Sequence, residues 1–147
     1  MQTITKTVKF DPAGAKLWLR VDNMIGLVRM DYIWQLLSAN PAEHYLLSKT
    51  SLLGSNKSNR CYQIVNDYYT PPPSDEAISK MDNRFVDLEM TITGTPGDTY
   101  SFSIDIVQGI DNSSTNVIGT LLCPAGASLA PETYQITYKC TIDLTTT

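Results

Sequence analysis

Through residues 85–107, FVDLEMTITGTPGDTYSFSIDIV, apolar side chains fall on every second position, stop at GTPGD, and resume the same beat. Val86, Leu88, Met90 and Ile92 share one face of the first run, and Tyr100, Phe102, Ile104 and Ile106 share one face of the second. Period two with polar residues between marks a strand that buries one side in an antiparallel sheet. Pro96, Gly97 and Asp98 supply turn chemistry, so the whole segment is expected to fold as a β-hairpin.

The C-terminal TYQITYKCTIDL keeps the same beat longer: Tyr134, Ile136, Tyr138, Cys140, Ile142 and Leu144 point one way, with Thr, Gln, Lys and Asp opposite. A run this long is expected to cross a whole sheet. VIGTLLC at 117–123 reads as a short strand between two loops. In the N-terminal half, TITKTVKF at 3–10 places Ile4, Val8 and Phe10 inward, DPAG at 11–14 turns, and KLWLRV at 16–21 turns Leu17, Leu19 and Val21 inward. LVRMDYIWQLLSA at 27–39 fits both periods; its aromatic and β-branched residues and the lack of an N-cap favour a strand. HYLLSKTSLL and CYQIVNDYY are further strand candidates around the loop GSNKSNR. The triple proline in TPPPSDEAISKMDN forces an extended segment, and Ser74 followed by Asp75 and Glu76 predicts one short helix near 74–82.

Some nine short strands separated by turn signals predict an all-β, single-domain, antiparallel two-sheet β-sandwich over residues 1–147, of immunoglobulin-like or jelly-roll topology. Splitting 147 residues would leave two marginal cores.

Composition narrows the function more than it names it. The formal net charge is −4, which argues against nucleic acid, whose phosphates need a clustered positive surface. The charge is uneven: residues 1–70 carry +3 and residues 71–147 carry −7. The two halves either interleave in the fold or form faces of opposite sign suited to head-to-tail contact. MQTITKTVKF has no apolar h-region and no run approaches the ~18 apolar residues of a membrane helix. The expectation is cytoplasmic synthesis without a Sec signal or a membrane partner, with release left to a dedicated machine or cell lysis, for example as part of a larger particle. Cys61, Cys123 and Cys140 are odd in number and lack metal-ligand spacing, which predicts free thiols. The sequons NKS and NSS are read as chance without a secretory signal.

Candidate chemistry is sparse. His44 is the single histidine, without a nucleophile motif beside it, and it reads as a surface residue. Asp87, Glu89 and Asp105 fall on the polar face of the expected hairpin; they could ligate calcium or pair as acid and base, but a solvated face is the simpler reading. Lys57 and Arg60 in GSNKSNR could hold an anion or simply decorate a loop. No phosphate-cradling glycine motif appears, and no cofactor is expected.

The aromatics suggest binding. With Leu17, Leu19 and Val21 inward, Trp18 faces outward between Lys16 and Arg20, and Tyr68 and Tyr69 stand just before the prolines. Outward aromatics beside cations anchor subunit interfaces and also stack on sugars. The expectation is a non-enzymatic structural or assembly subunit, virion- or tail-type, that self-associates as a homo-oligomer or docks other subunits through Trp18, Lys16, Arg20, Tyr68 and Tyr69. A carbohydrate-binding, lectin-like module with a glycan as ligand is the alternative.

Overall fold

A computed structural model of the chain describes residues 1–26, 28–37, 46–52, 60–65 and 77–147, with 46–52 described by backbone alone. Nine strands run through them: β1 Gln2–Lys9, β2 Lys16–Gly26, β3 Arg29–Leu37, β4 Leu46–Leu52, β5 Arg60–Gln63, β6 Phe85–Thr93, β7 Tyr100–Gly109, β8 Val117–Leu122 and β9 Gln135–Thr145. They form two sheets, a five-stranded one ordered β1-β9-β6-β3-β4 and a four-stranded one ordered β5-β2-β7-β8. The chain is therefore an all-β two-sheet sandwich.

The core lies between the sheets, as the alternation requires. Leu17, Leu19, Val21, Phe102, Ile104 and Ile106 of the four-stranded sheet are buried against Met30, Tyr32, Trp34, Leu88, Met90 and Ile92 of the five-stranded one. Each large apolar side chain so buried contributes about 1.5–3 kcal/mol. Two tyrosine pairs bridge the layers: the Tyr32 and Tyr62 hydroxyls lie 2.6 Å apart, and those of Tyr100 and Tyr138 lie 2.7 Å apart. Each pairing lets two polar tips enter an apolar layer without leaving a hydroxyl unpaired. Trp34 differs: its buried indole N–H has no partner among the described residues.

Four expectations need correction. The segment 85–107 is no hairpin: β6 pairs with β3 and β9, and β7 pairs with β2 and β8. The loop between them crosses from one sheet to the other, and its backbone finds partners elsewhere. Gly94 N–H donates to the Tyr134 carbonyl, Gly97 N–H to that of Leu129, and Leu129 N–H to that of Asp98. Gly97, at φ +89°, takes the left-handed backbone that only glycine adopts readily. An arch and a hairpin share turn residues and strand alternation, so the sequence pattern fits both.

The pairing is not wholly antiparallel either, because β1 lies parallel to β9 over Gln2–Lys9. The expected helix is a single 3-10 turn, Ile78–Met81, which buries Met81; its Ala77 cap makes no side-chain bond. Ser74, Asp75 and Glu76 lie outside the described residues. Finally, β9 begins at Gln135, leaving Tyr134 exposed rather than inward.

β1 shows how an edge strand is held with little apolar content. Val8 and the following Phe10 are buried, Ile4 is partly so, and Lys6 is exposed at what alternation makes an inward position. Val8 sits directly over Gly119 of β8, where a Cβ would stand 2.5 Å from its Cγ2. That close approach brings the edge of one sheet against the edge of the other. The loop after β1 is clamped by the buried side chain of Gln108, which accepts from Asp11 N–H and donates to the Asp11 and Ala15 carbonyls.

Candidate functional site

The two outward faces of the sandwich differ. On the five-stranded sheet, register aligns Thr3, Lys139, Glu89 and Ile33 in one row and Thr5, Thr141, Asp87 and Gln35 in the next. This face is threonine-rich and charged. Asp143 lies on it, its carboxyl held above the ordinary range by partial burial and by the nearby Asp87 charge. A depression of about 240 Å³ lies over Asp31, Ile33, Glu89, Thr91 and Thr137. That is below the ~300–1,000 Å³ typical of small-molecule sites.

The face of the four-stranded sheet is built otherwise. Trp18, Arg20 and Asp22 stand opposite Val107, Asp105 and Ser103 of β7. Trp18 also pairs with Gln63 of β5, and Arg20 with Cys61. Thr120 and Leu122 of β8 flank Asp105 and Ser103 on the other side.

Its polar groups are already satisfied. The Arg20 guanidinium donates through Nε and Nη2 to Asp105 Oδ2 at 3.1 and 2.8 Å, and Asp22 lies 4.0 Å away. Thr120 Oγ1 donates to the other Asp105 oxygen at 2.9 Å. The Trp18 indole donates to the Gly109 carbonyl at 3.1 Å, and Asn23 Nδ2 donates to Ser103 Oγ at 3.1 Å. Asp105 is only 7% exposed on an outward face, and Val107 is 2% exposed. A carboxylate buried this far is tolerable because charge-assisted bonds replace its water.

Around this satisfied centre the face carries apolar side chains in water. Leu122 is 65% exposed, Ile25 63%, and Val117 is exposed too. Ile25 is there because of a bulge. Strict alternation from Leu17, Leu19 and Val21 would turn position 25 inward. The register instead shifts between Asp22 and Ile25, with Asn23 in the left-handed region at φ 50°, so Met24 is buried and Ile25 stands opposite Ser101. Ile110, just past β7, is 82% exposed.

Of the residues the sequence singled out, Trp18, Lys16 and Arg20 do share one outward face, with Trp18 half-buried rather than free. Tyr68, Tyr69, His44 and Lys57 lie outside the described residues. The carboxylate trio does not exist as a site: Asp87 and Glu89 lie on β6 in one sheet and Asp105 on β7 in the other, on opposite outer faces, because the segment joining them is an arch. Among the described residues, no three His, Cys, Asp or Glu side chains gather as metal ligands.

The three cysteines are free. Burial pushes each thiol up, with Arg20 pulling Cys61 down against it and Cys140 reaching about 12. Nucleophilic cysteine chemistry needs the opposite shift. Leu122, Ile25 and Val117 are the surface residues that sequence reasoning passed over. The alternation signals their direction only once the sheet and the bulge are known.

The charge halves interleave. Each sheet takes strands from both, with β9 and β6 set between β1 and β3 in the larger sheet and β7 beside β2 in the smaller. No helix among the described residues is long and apolar enough to cross a membrane. Compared with known proteins, the chain matches no protein-family model, no curated protein and no solved structure.

Proposed function

We propose that the chain is a non-enzymatic structural or assembly subunit, of the virion- or tail-type, that docks another protein through the outer face of the four-stranded sheet. The supporting observation is the pairing of exposed apolar side chains with polar groups whose bonds are already made. Covering Leu122, Ile25 and Trp18 removes apolar surface from water at about 25 cal/mol per Å². Covering Arg20 and Asp105 costs little further desolvation, because their paired side chains are already only 20% and 9% exposed. Tryptophan and arginine at the centre of such a patch are the residue types that carry binding energy in protein interfaces.

Site-specific photo-crosslinking tests this reading. A photoreactive residue replacing Trp18 should give protein adducts that Leu122→Asp removes, while the same probe at Thr141 on the opposite face should give none. Adducts from Thr141 alone would reject the reading. Glycan-array binding that depends on Trp18, without protein adducts, would replace it with the carbohydrate-binding alternative.

A further inference from the structure

We infer that the docked protein adds an extended strand to the free edge of β8, with side chains alternating between apolar and acidic. The inference rests on the docking reading above and states how the partner engages and what chemistry it presents.

β8 is an outermost strand, hydrogen-bonded to β7 alone. Cys123 N–H donates to the Phe102 carbonyl, and the register sets Leu121 opposite Ile104 and Gly119 opposite Ile106. In an antiparallel ladder, bonded pairs alternate with unbonded ones. Gly119, Leu121 and Cys123 therefore turn their N–H and C=O groups toward β7. Thr120 and Leu122 turn theirs away, where no backbone group among the described residues meets them. They are donors and acceptors at strand spacing, which a further strand satisfies in full.

The side chains leave this edge unguarded. Sheets commonly protect an outer strand with lysine, proline or an inward-pointing charge. VIGTLL, the whole of β8, holds no charge and no proline, and its Leu122 is 65% exposed. β1, the outermost strand of the other sheet on the same side of the sandwich, is built the opposite way. It carries Lys6 and Lys9, both exposed, with Lys6 at an inward position. One of two adjacent edges is guarded and the other is bare.

β1 also selects the occupant. Val8 stands over Gly119, so β1 runs close to β8, and a strand added to β8 passes beside Lys6. β1 holds no Asp or Glu. Pairing two copies through β8 would bring β1 toward β1, lysines toward lysines. Such repulsion excludes a second copy and favours a strand that offers carboxylates on its β1 side. On the other side of that strand, alternate residues lie beside the exposed Leu122 and suit apolar side chains. The occupant is thus an extended, apolar–acidic segment of another protein.

Hydrogen exchange of the full chain, read amide by amide, tests this. The free chain should protect Leu121 and Cys123 but not Thr120 or Leu122. A capped peptide alternating valine with glutamate, added up to about 1 mM, should slow exchange at Thr120 and Leu122 about tenfold or more. The same peptide N-methylated throughout should not, because it keeps the side chains and lacks the donors. A valine–lysine peptide should protect less, and Lys6→Glu should reverse that order. Thr120 and Leu122 already protected in the free chain, protection by the N-methylated peptide, or no protection by the valine–glutamate peptide each overturns the inference. So does a wild-type chain that dimerises with these two amides protected. Trp18-probe adducts undiminished by saturating valine–glutamate peptide would overturn strand addition and leave the docking face standing. Peptide protection in a chain whose Trp18 probe gives no adducts would support the edge and reject the face.

Discussion

Tyr100 and Tyr138 reach toward each other from opposite sheets, their rings edge to face at 6.2 Å and their hydroxyls 2.7 Å apart. Both are buried, and Phe102 packs edge to face on Tyr138 at 5.5 Å. The pair ties β7 to β9, strands distant in sequence and in different layers. Tyr138→Phe keeps the ring but strands the Tyr100 hydroxyl, at an expected cost of about 1–3 kcal/mol in denaturant unfolding. Changing both to Phe should cost less than the sum of the singles. Strict additivity would show that the two hydroxyls do not depend on each other.

Gly119 and Val8 form a second inter-sheet contact, with opposite polarity. Gly119→Ala should destabilise by roughly 1–3 kcal/mol, because its Cβ has no room beneath Val8 and the strand edges must part. Val8→Ala alone leaves a gap, but combined with Gly119→Ala it should restore part of the loss. Unfolding curves of the three variants check this. A harmless Gly119→Ala would place β1 farther from β8 than described.

Alkaline pH should weaken the fold through Cys140. Its thiol titrates near 9.0 when unfolded, and burial pushes it up to about 12 in the folded chain. The folded state thus holds the proton more tightly. This contribution is full below pH 9 and is lost as pH rises toward about 12. The phenols of Tyr32, Tyr100 and Tyr138, also raised by burial, act in the same sense from about pH 10 upward. Between pH 9 and 10 the fall in denaturation midpoint should be shallower in Cys140→Val than in the wild type. Identical slopes would show that the thiol is solvated and the last strand out of register.

The sequence by itself determined the class of fold and the inward faces. Leu17, Leu19, Val21, Val86, Leu88, Met90, Ile92, Phe102, Ile104, Ile106, Tyr138, Cys140, Ile142 and Leu144 are buried where alternation puts them. The physical reason is that a strand has two sides and water penalises only one choice for an apolar residue. The same rule located Trp18 and Arg20 on an outward face before any sheet was known.

Alternation is silent about which sheet a strand joins. Asp87, Glu89 and Asp105 look like neighbours along the chain, yet hydrogen bonding places them on opposite sides of the molecule. The loop after β6 pairs with 129–134, not with a hairpin of its own, and that choice depends on contacts more than thirty residues away. Ile25 is the sharpest instance at the candidate site. One extra residue around Asn23 inverts every side chain that follows, so an isoleucine that the pattern assigns to the core stands in water. Tertiary structure alone decided that it would stand opposite Ser101 on the outer face of the four-stranded sheet. Register is settled by the partner strand, and the partner strand is chosen by the packing of the whole sandwich.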